Sequence, residues 1–141
     1  MFRFIASVFI VTVASLFQLS NYGFIGNIKP DITLVLLIVL SLVYTNWTER
    51  TLLIFISSII LKFGGGLDLQ NAVFVISSIL SMVAVDKFPF HKLVNAILAL
   101  LVSTLTINLV HFNFNVFIAE IFYNLTLFFL FFEIQRLWQK K

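Results

Sequence analysis

Pro30-Asp31-Ile32-Thr33-Leu34-Val35-Leu36-Leu37-Ile38-Val39-Leu40-Ser41-Leu42-Val43-Tyr44-Thr45 decides the fold. After Asp31 the run Ile32–Thr45 carries no charge and no glycine or proline. It reads as an apolar helix. Asp31 sits where an N-cap belongs, ready to accept from the free amides near Thr33 and Leu34 and to favour the positive helix end. At 1.5 Å per residue the run is about 21 Å long, short of a ~30 Å hydrocarbon core. Either flanking residues extend it or the bilayer thins locally.

The same pattern continues on both sides. Charged residues, and the His111-Phe112-Asn113 link before the last, separate six apolar segments: Phe4–Ser20, Ile32–Thr45, Thr51–Gly66, Asn71–Val85, Leu93–Val110 and Phe114–Ile134. The links between them are short. They run from Asn21 to Asp31, from Asn46 to Arg50, through Gly64-Gly65-Gly66, from Asp86 to Lys92, and over His111-Phe112-Asn113. Short links make sequential helices antiparallel neighbours. The expectation is one all-α domain over residues 1–141, a polytopic membrane bundle of six transmembrane helices.

Composition agrees. Of 141 residues, 61% are hydrophobic and 11% charged, and the mean hydropathy is +1.10. Soluble domains are about 45–50% apolar and about 25% charged. So few charges do not cover a soluble surface, which argues against an ordinary soluble enzyme, a disordered tail or a nucleic-acid-binding domain. The absence of cysteine removes disulfides, thiolate metal sites and cysteine nucleophiles. No internal repeat is apparent. No small-x-small cleavage site follows the first segment, which reads as a helix rather than a signal peptide.

Basic residues give the orientation. With the N-terminus inside, the inner side holds Arg3, Arg50, Lys87, Lys92, Arg136, Lys140 and Lys141, and the outer half holds Lys29 and Lys62. This predicts both termini inside. Trp47 and Trp138 then fall on the inner side, where interfacial indoles sit.

Catalytic groups are sparse. His91 and His111 lie at opposite ends of a helix, too far apart for a shared metal or a dyad. No GxSxG, HExxH or phosphate loop is present. An intramembrane enzyme therefore lacks its nucleophile–base pair, and neither cofactor nor metal is expected. Lys62 and Glu120 are ionisable residues inside predicted spans, costly unless paired or wetted. Their depths match and their charges are opposite. An ion pair or a shared polar pocket in the outer half follows. The alternatives are a ligand site, or Lys62 snorkelling alone to the interface. Asn124 lies four residues after Glu120 on the same helix face, and Asn108 lies at similar depth. If the charge of Glu120 is paired, Glu120→Gln is destabilising. Asp31 and Asp68 face the outer surface as further contact candidates. Asp68 follows the glycine tract, which reads either as a plain turn or as a tightly packed contact. Ser57, Ser58, Ser77, Ser78 and Ser81 mark small-residue packing faces.

Taken in order, these features resemble the rod shape-determining protein MreD family. They are the basic N-terminus, Gln18 closing the first helix, Lys29-Pro30-Asp31 before a leucine-rich helix, Gly64-Gly65-Gly66-Leu67-Asp68, and Glu120-Ile121-Phe122-Tyr123-Asn124 in a last helix ending in basic residues. The chain departs from the family where Leu69-Gln70-Asn71 replaces a Gly/Pro-rich loop, and at Lys62. The resemblance implies a multi-pass protein of the bacterial inner membrane in the cell-elongation machinery. It would be a non-enzymatic scaffold for lateral peptidoglycan synthesis. It would bind the single-span protein MreC and act with the elongation-complex glycosyltransferase and transpeptidase. The family's fold is similar to the substrate-binding S-component of ECF vitamin transporters, which supplies the alternative function. That reading asks for an outer polar pocket, with Lys62, Asn108, Glu120 and Tyr123 as candidates. Against it, Ala6 and Ala14 are eight apart with bulky Ile10 between, not the close Ala-xxx-Ala docking pattern of such subunits.

Overall fold

The computed structural model describes residues 2–20, 28–61 and 68–139. Among them are six α-helices: α1 (Phe2–Leu19), α2 (Ile32–Ser41), α3 (Trp47–Leu61), α4 (Leu69–Lys87), α5 (Lys92–Asn108) and α6 (Phe114–Gln139). A 3-10 turn, Leu109–His111, tightens the end of α5. The helices follow the six apolar segments in order, and the described residues form no strand. Lys62, the Gly64–Gly66 tract and residues 21–27 lie outside the described residues. So the expected Lys62–Glu120 pair does too.

α2 is the centre of the molecule. It packs against α1, α3, α4, α5 and α6. Around it the neighbouring pairs are α1–α3, α3–α4, α4–α5 and α5–α6, while α1 and α6 are joined through α2. Every residue from Thr33 to Ser41 is buried. This is what the continuous Leu/Val/Ile run achieves: with no polar stripe, the helix is wrapped on all sides.

Most boundaries shift by one or two residues, α6 runs on to Gln139 rather than Ile134, and three further differences have a visible cause. α2 has 10 residues, about 15 Å, and stops at Ser41 rather than Thr45. The amides of Leu42, Val43 and Tyr44 fold back onto Val39 and Leu40 as a closing turn. α3 begins at Trp47 rather than Thr51, because Asn46 Oδ1 accepts the Thr48 amide at 3.0 Å and starts the helix early. α4 begins at Leu69 rather than Asn71, because Asp68 Oδ1 accepts the Asn71 amide at 2.8 Å.

Around the apolar core of α2, small polar side chains are buried between the helices and large apolar ones face outward. α1 buries Ser7, Val11 and Ser15 and exposes Phe9, Val13, Leu16 and Phe17. α4 buries Asn71, Ser77, Ser78 and Ser81 and exposes Ile76, Ile79 and Leu80. α5 buries Asn95, Ser103, Thr104 and Asn108. α6 presents Phe122, Phe129, Leu130 and Ile134 outward. Among the described residues two helices, α4 and α6, are long and apolar enough to cross a membrane.

Candidate functional site: a polar network around the ends of α2

A short helix sheathed in protein has a problem at both ends. Its first amides and last carbonyls lack partners within the helix and lie away from water. The neighbouring helices supply side chains for them.

At the N-terminal end, Gln18 of α1 accepts the Thr33 amide on Oε1 at 3.0 Å. Its Nε2 donates to Asp31 Oδ1 at 3.2 Å. Asn124 of α6 accepts the Asp31 amide on Oδ1 at 2.9 Å. Thr33 Oγ1 donates to Ser15 Oγ at 3.4 Å. The Asp31 cap is therefore corrected. Asp31 occupies the N-cap position, but its side chain makes no capping bond. Gln18 reaches across from another helix to take the amide, and the Asp31 carboxylate turns to Gln18 instead.

From Asn124 the network runs on. Its Nδ2 donates to Thr104 Oγ1 at 3.0 Å. Asn108, one turn beyond Thr104 on α5, donates from Nδ2 to the Thr104 carbonyl at 2.9 Å and to Glu120 Oε2. So Asp31, Asn108, Glu120 and Asn124 come together at one end of the bundle, linked through Thr104. Asp68 stands apart from them in its bonding, occupied in capping α4.

At the C-terminal end of α2 the agent is Arg50. Its side chain is buried. Nη2 donates to the Ser41 carbonyl at 2.7 Å, and Nε donates to the Tyr44 carbonyl. The same guanidinium pairs with Asp86 of α4 through Nη1 to Oδ2 and through Nη2 to Oδ1 at 3.1 Å. The fork geometry of arginine makes these simultaneous bonds possible. The Trp47 ring lies 5.6 Å from the guanidinium carbon. Nearby, Tyr44 Oη donates to the Arg3 carbonyl at 3.0 Å and bonds Ser7 Oγ at 2.8 Å.

Counting Arg50 only as an interfacial charge missed this role. So did reading Gln18 only as the end of a helix. The signal available in sequence was a charge next to a run too short to stand alone. The serines read as packing faces do lie between helices. Ser58 Oγ donates to Asn71 Oδ1 at 2.7 Å, joining α3 to α4. Ser81 and Ser103 share a hydroxyl–hydroxyl bond between α4 and α5. Asn95, not singled out in the sequence, donates to the Val85 and Phe88 carbonyls and closes the end of α4. His91 opens α5, its Nδ1 accepting the Leu93 amide at 3.3 Å.

Chemically, these groups are arranged to bond one another and the backbone. No family model, no curated protein and no solved structure matches the chain.

Proposed function

We propose that the chain is a membrane-embedded scaffold of the MreD type, with six membrane passages and both termini on the cytoplasmic face of the bacterial inner membrane. The observation that carries the reading is the outer surface. Phenylalanines, leucines and isoleucines cover the outside of the bundle, while buried serines, threonines and asparagines lie between the helices beside the apolar core of α2. In water this surface is unfavourable; in lipid it is the expected arrangement, with small polar residues drawing helices together. The short α2 fits the same reading. Irregular backbone at membrane depth is tolerated where protein surrounds it and side chains satisfy it, as Gln18, Asn124 and Arg50 do here.

The network supports a scaffold over a transporter subunit. Asn124, Asn108 and Gln18 spend their amide groups on Thr104, Glu120, Asp31 and backbone. A ligand pocket needs convergent polar groups turned toward an open cavity. In this role the bundle binds an MreC-like single-span partner and holds it beside the glycosyltransferase and transpeptidase of the elongation complex.

Co-purification in mild detergent with the MreC-like protein of the same genome tests it, against an unrelated single-span protein. A complex specific to the MreC-like partner is expected. Equal recovery of both partners, or of neither, contradicts the scaffold reading.

A further inference from the structure

α4 and α5 pack closely along a serine- and alanine-rich seam, and a groove of about 250 Å³ opens beside it. Its lining is overwhelmingly apolar. Ser81 and Ala99 form part of the floor, Leu80 and Val102 part of the walls, and Lys87 closes one end. The Ser81 hydroxyl is turned away into the seam, donating to the Ser77 carbonyl at 2.6 Å.

Length and charge indicate what fits. Lys87 and Ser77 both line the groove and are ten residues apart on α4. At 1.5 Å per residue they are separated by about 15 Å, half of a ~30 Å hydrocarbon core and so one leaflet deep. Lys87 lies at the end of α4 where Lys92 and His91 open α5, and all three side chains are exposed. The adjacent Asp86 carboxylate is engaged by Arg50 and does not offset Lys87. A positive mouth above an apolar trough of one-leaflet length matches one kind of molecule.

We propose that the α4–α5 groove seats one acyl chain of an anionic phospholipid, with the lipid phosphate on Lys87. The site rests on the membrane reading above. The bound lipid belongs to the leaflet at the Arg50 end and fastens the α4–α5 hairpin to the membrane surface there.

The test uses the full chain reconstituted in vesicles of equal parts phosphatidylcholine and phosphatidylglycerol. Resistance to alkaline carbonate extraction is scored first. The protein is then released into mild detergent, and retained lipids are counted by native mass spectrometry. The expected result is one retained phosphatidylglycerol in preference to phosphatidylcholine. Retention falls about five-fold in Lys87→Gln, the scale of one interfacial lysine. It falls similarly in Val102→Trp, which fills the groove from its exposed wall. Arg136→Gln, an exposed cation on α6 near the same end, leaves retention unchanged. An inserted protein that holds both lipids equally, or loses phosphatidylglycerol equally in Arg136→Gln, overturns the groove alone. A protein extracted by carbonate overturns the groove and the membrane reading together.

Discussion

Gln18 and Asp31 hold each other across the junction of α1 and α2. The Gln18 amide donates to the Asp31 carboxylate at 3.2 Å, while its carbonyl oxygen takes the Thr33 amide at 3.0 Å. One side chain thus satisfies the start of a buried helix and fixes the residue that precedes it. Gln18→Leu leaves the Thr33 amide without a partner. The expected loss is about 1–3 kcal/mol, read by thermal unfolding in detergent. Gln18→Glu keeps an acceptor for the amide but sets a second carboxylate beside Asp31, so it should not restore the parent. An unchanged midpoint in Gln18→Leu contradicts the cap.

Arg50 is the largest single-residue test of the opposite end. Arg50→Met removes the donor to the Ser41 and Tyr44 carbonyls and strands Asp86. Breaking a buried pair from one side costs about 3–5 kcal/mol. Asp86→Asn should cost less. Arg50 keeps both carbonyls, and the new amide oxygen can still accept from the guanidinium. Arg50→Lys should not restore the parent, because an ammonium cannot fork to the same acceptors. Unfolding in denaturant gives the order. A larger loss in Asp86→Asn than in Arg50→Met would place the weight on the ion pair, not on the end of α2.

The seam between α4 and α5 offers a contrast of two serines. Ser81 bonds Ser103 across the seam, whereas the buried Ser77 hydroxyl has no hydrogen-bond partner among the described residues. Ser81→Ala should lower stability by about 0.6 kcal/mol, the mean for side-chain bonds between membrane helices. Ser77→Ala removes an unpaired buried hydroxyl and should leave stability unchanged or raise it. Equal losses in the two variants contradict the contrast.

Much of the architecture was legible from residue types alone. Charges placed between apolar runs gave the number and order of the helices. The i, i+4 spacing of Glu120 and Asn124, and the depth of Asn108, grouped these residues around an expected Lys62–Glu120 pair, and Lys62 lies outside the described residues. What failed was whatever depended on the third dimension. Leu42, Val43 and Tyr44 are as apolar as the residues of α2, so hydropathy had no reason to end the helix at Ser41. Asp31 had the right chemistry and position for a cap, but Gln18 from α1 reached the amide first. In sequence Arg50 is a charge at an interface, since a sequence records that a guanidinium is present and not that two carbonyls and a carboxylate surround it. A ten-residue helix inside five others is the missing piece. Once its length is known, the need for side-chain partners at both ends follows.

The scaffold reading and the lipid groove both require that the chain cross the membrane, and the scaffold reading puts the Arg50 end on the cytoplasmic side. The chain has no cysteine, so single cysteines report without background. Thr48→Cys and Lys92→Cys lie at the Arg50 end, and Gln70→Cys and Asn115→Cys at the opposite end, all four at exposed positions. The measurement is labelling by a membrane-impermeant maleimide in intact bacterial spheroplasts and after permeabilisation. Positions 70 and 115 should label in intact spheroplasts, and positions 48 and 92 only after permeabilisation. Labelling of all four on the same side would contradict the account.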